Sequence, residues 1–141
     1  MDAVTRWTCP RCEREFGRNH QSHVCVPGCT VDETFAGRPA VQRDVYEEIV
    51  AYLSTLGPLH VDSVRVGVFL RRDAKFAELR PKARALSLEL VLPRTVDDPR
   101  ISRTLPMPFG RALHIVKLTD PAQVDDQLRD WLAESYHAAD G

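Results

Sequence analysis

Apolar residues recur at near-helical spacing at Val41, Val45, Ile49, Leu53 and Leu56, with Tyr46, Val50 and Tyr52 close by. Gly57-Pro58 ends the run, and Asp44, Glu47 and Glu48 fall on its polar side, so the pattern predicts an amphipathic helix of about four turns. From Val64 the period drops to two. Val64, Val66, Val68 and Leu70 alternate with Arg65, Gly67, Phe69 and Arg71, as in a strand with one buried face. Arg72 to Lys75 turns the chain into a second strand, Phe76 to Leu79. Ala85 to Leu92 makes a strong third strand, stopped by Pro93. A weaker strand is expected near Ile101–Leu105, and a last one at Leu113–Leu118, with His114 and Lys117 taken on one side. Asp120, Pro121 and Gln123 form a capping signature for a closing helix. Its buried stripe is Val124, Leu128, Trp131, Leu132 and Tyr136.

Helix, antiparallel meander, helix predicts an α+β domain. Its sheet has about five strands, with the N-terminal and C-terminal helices on one face and the other face exposed. The domain spans residues 41–139, behind a connector at 31–40 and a small head at 1–30. At 141 residues the chain holds one ordinary core and an appendage. Apolar residues at 43% and charged residues at 28% are globular composition. The sequence has no apolar run near the ~20 residues a membrane span needs. Met1 to Arg18 is too polar for a signal peptide, so a cytoplasmic location without membrane partners is expected.

The four cysteines change the picture of the head. Cys9, Cys12, Cys25 and Cys29 share one short window, and clustered thiols in a reducing compartment point to metal rather than disulfides. Cys9-Pro10-Arg11-Cys12 is a knuckle that brings two thiolates to the same side of a tetrahedral ion, and zinc accepts sulfur and imidazole without redox chemistry. Two second halves fit: Cys25 with Cys29, or His23 with Cys25, while His20 offers a further imidazole. Phe16 stands where small zinc folds place a core aromatic. A closed four-ligand zinc site is structural, since catalytic zinc keeps an open position.

The stretch Arg65 to Pro93, with Phe76-Ala77 and Pro81-Lys82, resembles an uncharacterised α+β domain family, a domain of unknown function. That domain also occurs at the C-terminus of longer bacterial proteins, some described as predicted transport proteins or joined to nuclease-like modules. The tail Asp125…Leu128-Arg129-Asp130-Trp131-Leu132…Tyr136 is similar to its closing helix. Trp7-Thr8-Cys9-Pro10-Arg11-Cys12 through Asn19 and His23-x-Cys25 resembles the zinc-binding leader of short members. The resemblance implies Cys9, Cys12, His23 and Cys25 as the ligands of a structural zinc, with Cys29 as the alternative. It implies a fold and no established activity.

Formal net charge is −1, which removes any global attraction to nucleic acid or anionic lipid. The charge is nonetheless uneven, because Arg65 to Arg111 holds eleven basic and five acidic residues, a surplus of six. Arg71, Arg72, Lys75, Arg80, Lys82 and Arg84 cluster there with Phe69 and Phe76 between them. Such an edge suits phosphate tracking and base stacking. A nucleic-acid-associated binding module is therefore expected. The alternative is a small-ligand or protein-interaction domain on the open sheet face, where Tyr46, Arg103, Arg111 and His114 would supply polar groups. Catalysis, for example as a nuclease accessory, ranks last. The sequence has no Gly-x-Ser-x-Gly, no His-Glu-x-x-His and no Gly-rich phosphate loop, and Glu78 and Glu89 lack the lysine of a Glu-x-Lys pair.

Overall fold

The change of period after Gly57 marks where the chain leaves helix for sheet. The structure, a computed structural model, describes residues 7–16, 20 and 26–139. In the head, β1 (Trp7–Thr8) and β2 (Glu15–Phe16) pair antiparallel. The body follows with helices α1 (Val31–Phe35) and α2 (Ala40–Ser54), then strands β3 (His60–Val64), β4 (Gly67–Arg71), β5 (Lys75–Pro81) and β6 (Leu86–Leu92). Strands β7 (Ile101–Pro106) and β8 (Ala112–Leu118) and helix α3 (Asp126–Ala138) complete it. Among the described residues the body sheet has six strands in the order β3-β4-β5-β6-β8-β7, and every neighbouring pair is antiparallel.

The expected α+β architecture is present, with one strand more than the pattern suggested. The run Val64–Arg71 is not one strand. It turns at Arg65-Val66, which leaves Val66 exposed and makes the run the second arm of a hairpin whose first arm is β3. The stretch read as connector contains α1, whose N-cap Thr30 accepts from the Glu33 N–H while the Glu33 carboxylate accepts from the Thr30 N–H. Near the C-terminus, Asp120 and Gln123 do form a capping box, but around a 3-10 turn at Pro121–Gln123. Val124 breaks that turn, and Asp125 caps α3 by accepting from the Leu128 N–H at 3.0 Å.

The inner face of the sheet meets the helices. Val68, Leu70, Leu79, Leu88, Leu90 and Val116 pack with Ile49 and Leu53 of α2 and with Leu128, Trp131 and Leu132 of α3. Burying each such side chain contributes about 2 kcal/mol. Polar bonds fix the helices on this face. Ser135 donates towards the Phe76 and Val91 carbonyls, and the Gln42 amide donates to the Lys82 carbonyl at 2.7 Å. Gly57 carries a φ of +147° directly under the Tyr136 hydroxyl, where a Cβ would come within 2.7 Å, and that hydroxyl donates to the Pro58 carbonyl.

The register of β8 corrects the reading of His114. Residues 112, 114, 116 and 118 pair with the inward positions of β6, so His114 is inside and only Lys117 faces out. Its Nδ1 lies 3.1 Å from the Ala112 carbonyl, and its Nε2 accepts from the Val96 N–H at 2.9 Å. Both ring nitrogens are thus used as a neutral imidazole uses them, and burial pushes the pKa down. Tyr46 also belongs inside, packed on Phe35 in the helix layer, so neither residue supplies the open face.

Candidate binding face

One row of residues crosses the outer face from edge to edge: Asp62, Phe69, Glu78, Glu89, Ile115 and Arg103, each opposite the next. The head decides the environment of its first part. Cys9-Pro10-Arg11-Cys12 turns the chain between β1 and β2. The turn is closed by the Cys9 N–H donating to the Arg14 carbonyl at 2.9 Å and the Glu13 N–H donating to the Cys9 carbonyl at 2.8 Å. Glu13 adopts a φ of 61° to allow it. Both thiols are buried in one small cluster with Phe16 and the partly covered Trp7. His23 and Cys25 lie outside the described residues. His20 packs its ring 5.1 Å from Trp7. The Cys29 sulfur instead lies 3.3 Å from the Thr34 hydroxyl, and its N–H donates to the Ser63 carbonyl beside β3. Among the described residues no group of three or more metal-ligating side chains is assembled.

The head sits on β3 and β4. Arg14 reaches the Asp62 carboxylate at 3.0 Å, and Arg71 reaches the same carboxylate at 3.3 Å. The guanidinium of Arg71 lies over the Phe16 ring at 4.6 Å and donates to the Glu15 carbonyl. That of Arg14 lies between the rings of Phe16 and Phe69, at 5.3 and 5.4 Å. Arg14, Asp62 and Arg71 are all buried. The outer face is therefore not open throughout, as the two-helix reading implied; its β3–β4 part has a cover.

Beyond Phe69 the face is less sheltered. Glu78 is 3% exposed and carries two cations: Lys75 donates to its Oε1 at 2.8 Å, and the Arg80 Nε contacts its Oε2. Glu89, directly opposite on β6, has Arg80 3.6 Å from its own Oε2. Burial, and then the neighbouring Glu78 charge, raise the pKa of Glu89. Next to this pair, Val91, Leu113 and Leu105 form an apolar row on β6, β8 and β7, each only partly covered. With Lys75, Glu78, Glu89 and Met107 they surround a depression of about 380 Å³. At the tip of the β7–β8 hairpin Phe109 is 95% exposed with a φ of 63°, an unfavourable conformation for an aromatic residue.

The six basic residues singled out from sequence do not form one patch. Arg71 is inside the head–sheet contact, and Arg72 stacks on Tyr136 at 4.2 Å and donates to its carbonyl on the helix side. Lys75 and Arg80 share Glu78. Lys82 and Arg84 stay exposed in the β5–β6 turn. Arg103 faces outward on β7, while Arg111 lies exposed at the foot of β8, its Nε donating to the Pro108 carbonyl. Sequence reading missed Asp62, the facing Glu78–Glu89 pair and Arg14. Period-two parity places Glu78 opposite to Leu79, but only the strand register shows that Glu89 is its neighbour.

An antiparallel sheet with helices on one face and a small head on part of the other defines an α+β domain of sheet-and-helix layers. Residues 31–139 match the family described as Domain of unknown function (DUF5655), and the chain belongs to that family. Comparison with curated proteins and with solved structures gave no match. Among the described residues no helix is long and apolar enough to cross a membrane.

Proposed function

We propose that the chain is a binding module that works through the uncovered part of the outer face, and that a structural zinc ion rigidifies the head covering the rest. One observation carries the first part: Val91, Leu105 and Leu113 are partly exposed around a depression beside the buried Glu78 and the partly exposed Glu89. A concave apolar floor with few polar groups at its rim is the usual form of a small-ligand site. The test is a panel of neutral, cationic and anionic small molecules read by methyl NMR. Hits should move the Val91, Leu105 and Leu113 methyls; a panel that moves none of them, or only residues elsewhere, rejects this face.

The zinc reading is supported by the paired burial of Cys9 and Cys12 in the knuckle, with His23 and Cys25 as the expected remaining ligands and Cys29 engaged with Thr34. Zinc per chain should fall in Cys9→Ser and His23→Ala and hold in Cys29→Ser. Undiminished zinc in His23→Ala overturns the ligand set.

A second reading is binding to nucleic acid. Arg80, Ser87 and Lys117 lie in one outer-face row, and Lys82 and Arg84 project from the adjoining turn. Phosphate contacts there predict micromolar affinity for labelled DNA or RNA with a steep salt dependence. Fluorescence anisotropy with no signal at low salt removes that reading.

A further inference from the structure

Resting on the reading of the outer face as a binding surface, we propose that the depression between β5 and the β7–β8 hairpin takes a small organic cation. Its apolar body lies on Val91, Leu105 and Leu113, and its primary amine pairs with Glu89.

The two facing carboxylates are not equivalent. Both oxygens of Glu78 are taken, one by Lys75 and the other by Arg80. Lys75 is held further by the Phe69 ring, 4.7 Å from its ammonium, which draws it towards the covered side. Arg80 is the cation nearest Glu89, with Lys75 and Lys82 acting on it from further off. The Arg80 Nε stands 3.6 Å from it, beyond hydrogen-bond reach, and that same Nε is already bonded to Glu78. Glu89 therefore keeps acceptor capacity at the edge of the depression, opposite Glu78 on the ladder. Its pKa is raised, since burial and the Glu78 charge both penalise its ionised form. With Glu78 already balanced by Lys75 and Arg80, Glu89 is the carboxylate left to accept an ammonium, and an anion brought to it would meet a like charge.

Shape and chemistry narrow the ligand further. About 380 Å³ is at the small end of ligand sites and suits a body of one or two rings. Away from the charged rim of Lys75, Glu78 and Glu89 the lining is apolar, with Pro106 rigid and Met107 able to adjust to the body it meets.

The test is an amide NMR titration of the full chain with benzylamine, benzyl alcohol and phenylacetate, matched in shape and differing in charge. Benzylamine should move the Val91, Leu105 and Leu113 amides and bind about tenfold tighter than benzyl alcohol, the gain expected of a charge-assisted bond to a partly shielded carboxylate. Phenylacetate should bind weakest. Glu89→Gln should erase the advantage of the amine, and Arg80→Gln, which removes the competing guanidinium, should increase it. Equal binding of amine and alcohol, unaffected by either variant, overturns the cation assignment while leaving the face a binding surface. Failure of all three probes overturns the assignment too, and the broader panel then decides separately whether the face binds anything.

Discussion

The row from Asp62 to Arg103 runs through two different environments on one sheet face. On β3 and β4 the outward residues meet partners brought from far along the chain: Asp62 receives Arg14 from the head, and Phe69 is covered by the same arginine. On β6, β8 and β7 the positions are as apolar or more so, yet Val91, Leu105, Ile115 and Leu113 remain partly exposed. The strands share one fold and one twist, so the difference does not come from the sheet. It comes from the head, whose described residues contact β3 and β4. The half under the head is held by ion pairs within the chain, while the apolar half stays partly exposed among the described residues.

The strongest way to break this contrast is Asp62→Ala, which leaves two buried guanidinium groups without their shared carboxylate. A loss of about 3 kcal/mol is expected in urea unfolding, together with faster hydrogen exchange in residues 7–16. A loss below 1 kcal/mol means that the head does not depend on this contact. Truncation on each side sharpens the comparison. Phe69→Ala under the head should cost about 3 kcal/mol, and Leu113→Ala on the uncovered half about 1 kcal/mol, because a half-exposed side chain has less burial to lose. Similar losses would show that both halves are covered alike.

On the proposed zinc reading, a chelator should loosen the head and redden the Trp7 emission while the body keeps its cooperative unfolding. Loss of the whole fold would make the head integral rather than applied. The smallest effect concerns His114 beneath the uncovered half. Its pKa is lowered in the folded chain, so as pH falls below the ordinary value of 6.5 the unfolded state takes up the proton first. Stability present above that pH is therefore lost on acidification. Urea unfolding at pH 7.5 and 5.5 should show a larger drop for the wild type than for His114→Gln. Equal drops would place the titration elsewhere.

Much of the body was legible from its residues. The stripe Val45, Ile49 and Leu53 and the run Leu86 to Leu92 satisfy period and burial together, and local pattern is enough for both. Strand β3 escaped because His60 and Asp62 are polar on a face that only later proves to be covered. An isolated sequence does not reveal that Arg14 will compensate Asp62 from 48 positions away. The basic cluster failed as a spatial unit for a related reason. Neighbours in sequence alternate sides, so Arg71 and Arg72 part to opposite faces, and the cluster is a property of the text more than of the surface. The turn at Cys9-Pro10-Arg11-Cys12 was legible because its spacing is local, whereas the zinc set proposed around it includes His23 and Cys25, which lie outside the described residues.

The clamp of Arg14, Phe16, Asp62 and Arg71 writes the presence of the head into the body. A domain of this kind without such a head would have no reason to keep an acid at position 62 or an arginine at 71, and a buried aromatic at 69 would become an adhesive patch. Those three positions should therefore vary in step with the head across related chains, an inherited signature of an attachment that lies outside the matched region.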